Sequence, residues 1–269
     1  MKISVALCTY NGEKYITKQL ESIFNQTQPI QELVICDDLS TDNTLKIIEN
    51  FQIIYPEIIK IYQNSTNLKT IKNFEKAVSL CTGDWIFLCD QDDVWSNSKV
   101  EIMLDYVKKH PKTLLLFSDG DLIDKNDNLL QNTLWEKWNF TAAKRKEWKN
   151  NQTAFKNLLQ NKNYVTGATA LISKNLKKFI IPIVVPADYY HDSWFALNAA
   201  GLNGLRFIEK SLINYRIHEN QQVGITLGGK NTECVNADNG ISRPDYIKLM
   251  SDKYKKPSIF EKIIIFCRK

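Results

Sequence analysis

Short apolar runs alternate with helical patterns through the first 95 residues of this 269-residue chain. Runs of β-favouring apolar residues predict strands that are buried on both faces. Apolar residues spaced three or four positions apart predict amphipathic helices. Their alternation predicts an α/β fold with a doubly wound, mostly parallel sheet. The predicted strands are residues 3–8, 33–36, 58–62 and 85–88, and three predicted helices lie between them.

Three of these four predicted strands end in the most polar turns of the chain. Tyr10 and Asn11 follow the first strand, Asp37 and Asp38 end the second, and residues 90–93 follow the fourth. In a right-handed doubly wound sheet the carboxyl ends of the strands lie at one edge, where ligands bind. The joint placement predicts one ligand site at this edge, and three unrelated solvated turns are the alternative.

The turn after the fourth strand contains three acids, Asp90, Asp92 and Asp93. Acids packed this closely repel one another and resist burial unless a positive charge compensates them. Clustered carboxylate oxygens suit Mg²⁺ or Mn²⁺. The pattern therefore predicts a site for a divalent cation, with a plain polar turn as the alternative.

A second segment with a candidate catalytic residue spans residues 189–197, where Asp192 precedes an apolar helical pattern. The helix dipole favours a carboxylate at this position and keeps it ionised. Such a carboxylate can act as a general base when a substrate hydroxyl reaches it, and simple helix capping is the alternative. His218 follows a late predicted strand and is a candidate metal or phosphate contact, with a surface histidine as the alternative.

The remaining segments predict further strands and an aromatic region. The tryptophans Trp135, Trp138 and Trp148 suit either the lining of a sugar-binding cleft or the core. The predicted elements are strands at 114–117, 165–172, 205–208 and 212–215 and a hairpin at 121–130.

Composition argues against several classes of function. The net charge of +5 is mild and carries no nucleic-acid signature. No stretch approaches the roughly 18 to 20 apolar residues of a membrane span, and the N-terminal residues are more typical of a strand than of a signal peptide. The six cysteines lack zinc-type spacing. Cys8, Cys36 and Cys89 each end an apolar strand-like run, which predicts buried thiols in a reducing cytoplasm. Dinucleotide-binding and P-loop motifs are absent, which disfavours both classes.

Taken together, these motifs resemble family 2 glycosyltransferases of the GT-A fold, in particular the bacterial rhamnosyltransferase-like members. The resemblance runs in family order over residues 2–220. One departure is Leu39, where the family usually has Gly or Asn. The matching pieces are SVALCTYNG (4–12), QLESI with NQT (19–27), DDLSTD (37–42), KNF (72–74), GD with DQDDVW (83–95), HD with W (191–194) and YR with H (215–218).

The resemblance implies a GT-A type α/β fold with a Rossmann-like, mostly parallel central sheet flanked by helices. Residues 1–225 would form the glycosyltransferase domain, with a nucleotide-binding half at 1–95 and an acceptor and catalytic half at 96–225. The resemblance does not cover residues 226–269. Their composition, rich in Gly and Asn and then basic and amphipathic, predicts a short C-terminal extension made of a flexible loop and a basic amphipathic tail. That tail suits docking at an anionic membrane, packing on the main domain or pairing in a homodimer.

The resemblance also implies an activity and its residues. The activity is inverting, metal-dependent transfer of a sugar, with L-rhamnose as one candidate, from a dTDP- or UDP-linked donor. The acceptor is a hydroxyl of a cell-surface polysaccharide or a lipid-linked oligosaccharide, at the inner face of the plasma membrane. Asp192 is implied as the base, and Asp92, Asp90 and His218 as holding Mn²⁺ or Mg²⁺. Donor contacts are implied for Thr9, Tyr10, Asn11, Glu13, Asp37, Asp38, Lys72, Asn73, Asp90 and Gln91, and acceptor-side positions for His191, Trp194 and Asp93.

Three alternatives remain at this point. A transferase of the same fold that uses UDP-hexose or UDP-HexNAc would share every motif. A phosphoryl-transfer enzyme of the haloacid-dehalogenase kind also has Asp-x-Asp after a parallel strand. That class places its nucleophile after the first strand, which here ends in Cys8, Thr9, Tyr10 and Asn11. A non-catalytic nucleotide-sugar binding module predicts that Asp192 can be removed without consequence.

Overall fold

The structure is a computed structural model that describes residues 1–219, 221 and 241–254. The strands are β1 (Ile3–Thr9), β2 (Glu32–Asp37), β3 (Ile59–Gln63), β4 (Trp85–Cys89), β5 (Val94–Trp95), β6 (Leu115–Ile123), β7 (Leu129–Thr133), β8 (Ala170–Ser173) and β9 (Leu205–Arg216). The helices are α1 (Ile16–Phe24), α2 (Thr44–Ile54), α3 (Lys69–Leu80), α4 (Lys99–Lys109), α5 (Leu134–Lys137), α6 (Ala142–Trp148), α7 (Asn151–Leu159), α8 (Lys174–Ile180), α9 (His191–Gly201) and α10 (Arg243–Tyr254).

The first half of the sheet is the parallel arrangement that the sequence predicts. Strands β3, β2, β1 and β4 lie side by side and all run in one direction. Thr9 is opposite Asp37, and Leu7 is opposite Cys89, so the three strands end at nearly the same level. The prediction of a shared carboxyl edge is confirmed.

The second half of the sheet is mixed. Strand β8 runs antiparallel to both β4 and β6, β9 runs parallel to β6, and β5 and β7 add antiparallel pairs. The predicted hairpin at 121–130 is confirmed by the β6–β7 pair. The two strands predicted at 205–208 and 212–215 are one strand, β9, because irregular pairing opposite Asp119 lets the ladder continue across the gap.

The strand predicted at 165–172 begins only at Ala170. Residues Gly167–Thr169 form a 3-10 turn in its place. The backbone of Gly167 lies so close to the ring of His191 that an added Cβ would be 2.8 Å from its Nε2 atom. Only a glycine permits this approach, and the turn carries the chain past the ring.

The core between the second half of the sheet and helices α5 and α6 is aromatic. The rings of Trp135 and Trp148 lie 5.1 Å and 5.3 Å from the ring of Phe140, in edge-on contacts. Both tryptophans are buried. Trp138, by contrast, lines a cavity. Trp135 and Trp148 therefore lie in the core, and Trp138 lies at a cleft, so each of the two alternatives applies to part of this set.

Helix α10, from the predicted C-terminal tail, packs against α9 and its neighbours. Tyr246 and Met250 are fully buried, and Lys253 Nζ donates a hydrogen bond of 2.9 Å to Asn198 Oδ1. This part of the tail packs on the main domain, which was one of three alternatives. The predicted flexible loop at 226–240 and the last part of the tail, 255–269, lie outside the described residues. No helix in the described part of the chain is both long and apolar enough to cross a membrane.

The cysteines in the described residues are free thiols. Cys36 and Cys89 are buried, as the sequence predicts, whereas Cys8, with the same prediction, is only partly buried. Cys81 is buried as well. Burial raises the pKa of the Cys36 thiol to about 11, so this thiol is protonated at neutral pH. Cys234 and Cys267 lie outside the described residues.

Candidate active site

A cavity of about 870 Å³ opens at the carboxyl edge of the parallel strands. Its walls come from the turns after β1, β2 and β4, from the segment 161–167 and from the start of α9. The structure thus brings most of the predicted site residues together in one place. Those that line the cavity are Thr9, Tyr10, Asn11, Glu13, Asp38, Asn73, Asp90, Gln91, Asp92, His191, Asp192 and His218.

The turn after β1 is tied to the acid-rich turn after β4. The Gln91 side-chain amide accepts a hydrogen bond of 2.8 Å from the Tyr10 N–H and donates one of 2.9 Å to the Tyr10 carbonyl. Gly12 lies against this amide, and a Cβ there would be 2.3 Å from Gln91 Oε1. Asn11 has a φ of 50°, and its side-chain oxygen accepts from the Thr41 N–H. The Tyr10 backbone is therefore held rigidly beside the acids.

Asp38 organises the loop before α3. Its carboxylate accepts hydrogen bonds of 2.6 Å and 2.9 Å from the backbone N–H groups of Leu68 and Lys69. The next residue, Leu39, has a φ of 65°, in the left-handed region that favours Gly or Asn. This backbone conformation gives a physical reason for the residue types that the family usually has at this position.

Two of the predicted acids lie outside the cavity lining. Asp37 is fully buried and accepts hydrogen bonds from the Thr9 and Ser40 hydroxyls. Asp93 is also buried and accepts a hydrogen bond of 3.0 Å from the Arg216 N–H. Both carboxylates hold neighbouring backbone or side chains, so they support the walls and do not face the cavity.

Two further predicted residues are also placed elsewhere. Lys72 is solvent-exposed and forms an ion pair with Glu75, 2.9 Å apart. Trp194 is buried, and its indole N–H donates a hydrogen bond of 2.8 Å to the Ile180 carbonyl. A helix buries one face and exposes the other, and these two side chains leave α3 and α9 in directions away from the cavity.

The acids at the end of β4 strongly perturb one another. Burial, together with the charges of Asp92 and Asp192, raises the pKa of Asp90 to about 7. Burial and the same kind of repulsion raise the pKa of Asp93 well above its usual range. A divalent cation would stabilise the ionised forms and reverse these shifts.

Asp92 and His218 lie side by side, with 2.9 Å between the Oδ2 and Nε2 atoms. Among residues 1–219, 221 and 241–254, no group of three or more His, Cys, Asp or Glu side chains could hold a metal ion by itself. Mg²⁺ in nucleotide sites typically binds one or two carboxylates and takes other ligands from substrate phosphates and water. The oxygen and nitrogen donors of this pair fit a metal that a bound diphosphate completes.

Asp192 lies in the first turn of α9, on the cavity wall. Its Oδ1 atom accepts hydrogen bonds from the Ser193 N–H and, at 3.2 Å, from the Asn163 side chain. Burial raises its pKa to about 7, although hydrogen bonds, among them those from Ser193 and Asn163, lower it. The effect of burial is larger than that of these hydrogen bonds, so the pKa lies higher than a position at a helix N-terminus alone would suggest. A carboxyl group that titrates near neutral pH is suited to general base catalysis.

The neighbouring His191 forms part of the wall as a neutral ring. It stacks on Phe74 with 4.0 Å between ring centroids. Burial lowers its pKa to about 3, so the ring is uncharged at neutral pH. Both ring nitrogens are buried and lack a hydrogen-bond partner among the described residues.

Several lining residues have no signal in the sequence. Asn163 and Tyr164 belong to a segment without helical or strand periodicity. Next to them lie Thr166, from the segment predicted as a strand, and Trp138, one of the tryptophans that the sequence offered for a cleft. The Trp138 indole N–H donates a hydrogen bond of 3.2 Å to Thr166 Oγ1. Asn163 could have been found only from its contact with Asp192, which is 29 residues away in the chain.

Arg216 belongs to the motif YR with H at 215–218, but the sequence predicted no role for it. Its side chain is 1% exposed, and its Nε atom donates a hydrogen bond of 2.7 Å to the Asp92 carbonyl. The guanidinium carbon lies 4.7 Å from the ring of Tyr15, which lines the cavity. Arg216 therefore fixes the backbone of the acid-rich turn from behind.

Comparison with known proteins agrees with this fold. The chain is 31% identical over 235 residues to the dTDP-rhamnosyl transferase RfbG of Shigella flexneri, a match that covers 83% of this chain and 75% of that protein. The structure of S. aureus TarS 1-349 with UDP-GlcNAc superposes with a TM-score of 0.61 at 21% identity, covering 82% of this chain. The mannosyltransferase PcManGT of Pyrobaculum calidifontis, with GDP-Man and Mn²⁺, gives 0.57 at 17% identity over 78% of this chain.

The two solved chains are longer than this one, which spans 60% of the TarS chain and 55% of the PcManGT chain. At these identities the superpositions show a common fold. The family model of Glycosyl transferase family 2 matches residues 4–178, which include the strands and acids that form one side of the cavity. From this match and the GT-A architecture, the chain belongs to glycosyl transferase family 2 and is a glycosyltransferase enzyme.

Proposed function

We propose that this chain is an inverting, metal-dependent glycosyltransferase that moves a sugar from a nucleoside-diphosphate donor to a hydroxyl group of a glycan or lipid-linked acceptor. The observation that carries the proposal is one cavity lined by both the acid-rich turn and Asp192. The acid-rich turn suits a diphosphate and its cation, and Asp192 suits deprotonation of an alcohol. A phosphatase or a simple binding module requires only the first of these.

The chain's own residues define the proposed mechanism. Asp92 and His218 would hold the cation, which supplies Lewis-acid stabilisation to the departing diphosphate. Asp192 accepts the proton of the acceptor hydroxyl as that oxygen attacks the anomeric carbon. Asn163 donates to the Asp192 carboxylate and orients it. A single displacement by the acceptor inverts the configuration at the anomeric carbon.

The proposed donor is dTDP-linked L-rhamnose, which rests on the name of the Shigella relative. The second candidate is a UDP-hexose or UDP-HexNAc, because the TarS structure contains UDP-GlcNAc. We place the reaction in the cytoplasm, with the acceptor presented at the inner face of the plasma membrane. An acceptor of a cell-surface polysaccharide pathway fits both candidate donors.

A donor screen tests the proposal. Purified protein is incubated with dTDP-L-rhamnose, UDP-glucose, UDP-GlcNAc or GDP-mannose, with Mn²⁺ or with EDTA, and nucleoside diphosphate release and thermal stability are measured. We expect one nucleotide to raise the Tm in the presence of Mn²⁺, since a ligand at about 100 times its Kd stabilises by about 2.7 kcal/mol. The same donor should be slowly hydrolysed in the absence of an acceptor, with release of the nucleoside diphosphate and free sugar. Stabilisation without any turnover would instead favour a binding module.

The pH dependence of transfer follows from the raised pKa of Asp192. Only the deprotonated carboxylate can accept a proton, so activity is lost as pH falls through its pKa of about 7. At saturating Mn²⁺ we expect kcat/KM to fall by about tenfold per pH unit below that value and to level off above it. A rate that is constant between about pH 5.5 and 8.5 would contradict the assignment of Asp192 as the base.

A further inference from the structure

Lys99 is a buried cation directly behind the candidate active site. It is the first residue of α4, and its side chain is 0% exposed. Its Nζ atom donates a hydrogen bond of 2.7 Å to the Ala168 carbonyl. The same atom lies 4.0 Å from the centroid of the Trp95 ring. Neither partner is an anion, so the charge itself is only weakly compensated.

Several physical effects disfavour a lysine at this position. Burial lowers the pKa of Lys99 to about 7, although the neighbouring groups Cys89, Asp93 and Asp90 act to raise it. The N-terminus of a helix carries a partial positive charge that repels a cation. Desolvation of a charge costs free energy that one hydrogen bond and a ring contact do not fully return. A residue that breaks several local rules at once commonly has a functional role.

The contact made by Lys99 connects to Asp192 through one short turn. Ala168 is the central residue of the 3-10 turn Gly167–Thr169. The backbone of Gly167 packs against the His191 ring, which precedes Asp192 in the chain, and against Asp192 itself. A Cβ added at Gly167 would lie 3.8 Å from the Asp192 Cβ atom. The position of this turn therefore sets the packing around Asp192.

We propose that Lys99 is a positioning residue for sugar transfer, because its hydrogen bond to the Ala168 carbonyl fixes the turn whose Gly167 backbone packs against His191 and Asp192. Lys99 does not touch the substrate. This inference rests on the proposed function, in which Asp192 is the base. The burial that disfavours the charged lysine also excludes water from its hydrogen bond to the Ala168 carbonyl. A hydrogen bond is stronger in the low dielectric of the protein interior than in water.

Lys99→Met tests the proposal, since methionine is apolar and of similar length. We expect kcat to fall about 10- to 100-fold, as small displacements of a catalytic group do. The donor KM should stay within about threefold of wild type, because the donor contacts are unchanged. The Tm should be equal or higher, because the cost of a buried charge is removed. Lys99→Gln serves as the second variant if the methionine variant fails to fold.

Lys177→Met is the matched control. Lys177 Nζ also donates to backbone carbonyls, those of Ser79 and, at 2.9 Å, Cys81, but neither carbonyl belongs to the turn beside Asp192. We expect this control to keep the wild-type kcat. Wild-type kcat in Lys99→Met would overturn the proposal. A fall in kcat that comes with a lower Tm and a higher KM would assign Lys99 a merely structural role and would overturn it as well.

Amide hydrogen exchange provides a readout that does not depend on turnover. We expect peptides covering residues 164–173 to exchange faster in Lys99→Met than in wild type, while peptides from β1 and β2 are unchanged. Unchanged exchange at 164–173 would overturn the proposal even if the wild-type protein were inert. Inertness of the wild type with every donor would count against the proposed function alone.

Discussion

Asp192→Asn is expected to lower kcat by about 10² to 10⁴-fold, which is the usual contribution of a positioned general base. Asparagine keeps the shape of the side chain and can still accept hydrogen bonds from Ser193 and Asn163. It cannot accept a proton from the acceptor. Binding of the donor nucleotide with Mn²⁺ should be unchanged, because these contacts lie on the other side of the cavity. Steady-state kinetics and a nucleotide thermal-shift titration measure the two quantities separately.

The same variant has a distinct expectation for stability. A carboxyl group whose pKa is raised in the folded state destabilises the fold at every pH above its unfolded value, most fully above about 7. Asp192→Asn removes this effect, so its Tm at about pH 8 should equal or exceed that of wild type. Asp105→Asn, on the exposed face of α4, is the control with the same chemical change and should leave kcat unaltered. Full activity in Asp192→Asn would rule out this residue as the base and favour a binding module.

Asp92→Asn is expected to abolish the Mn²⁺ dependence of nucleotide binding and to lower kcat by at least about 100-fold. The reason is that a neutral amide is a weak ligand for a hard divalent cation, and loss of Lewis-acid stabilisation of the leaving group costs several kcal/mol. Asp92 is also a charge that raises the pKa values of Asp90 and Asp93. Its removal should therefore relieve repulsion and leave the folded state at least as stable.

His218→Gln tests the second residue proposed to hold the cation and should have a smaller effect than Asp92→Asn. The His218 imidazole contacts Asp92 at 2.9 Å, so glutamine replaces one of two adjacent donors. We expect weaker Mn²⁺ binding and a smaller fall in kcat than in Asp92→Asn. The measurement is the Tm shift with nucleotide over a series of Mn²⁺ concentrations. A normal Mn²⁺-dependent shift in Asp92→Asn would show that the cation binds elsewhere.

The sequence predicted the parallel half of the sheet because each strand and helix in that half is specified by its own short stretch of sequence. Each of the segments 3–8, 33–36, 58–62 and 85–88 is wholly or mostly apolar, and each helix between them has its own periodicity. The acids at 90–93 come shortly after the end of the fourth strand in the chain. Parallel strands joined by right-handed crossovers bring their carboxyl ends together whatever the side chains are.

The second half was less predictable because its pairing is between distant segments. Strand β8 pairs with β4 and β6, and each partner is more than 50 residues away. Short strands and a bulged ladder have little periodicity, so 205–208 and 212–215 appeared to be two strands. Trp138 lines the cavity, whereas Trp135 and Trp148 are buried. This difference depends on packing between distant segments, which only the fold defines.

The sequence by itself determined the alternation of strands and helices, the acid-rich turn and the presence of Asp192 before a helix, since these depend on residue type and spacing along the chain. Only the tertiary structure decided which side chains face the cavity. It turned Asp37, Asp93, Lys72 and Trp194 away from the cavity, brought Asn163 into the cavity wall and placed Lys99 behind that wall. It also decided the pKa of Asp192, because burial is a property of the surrounding fold and not of the local sequence.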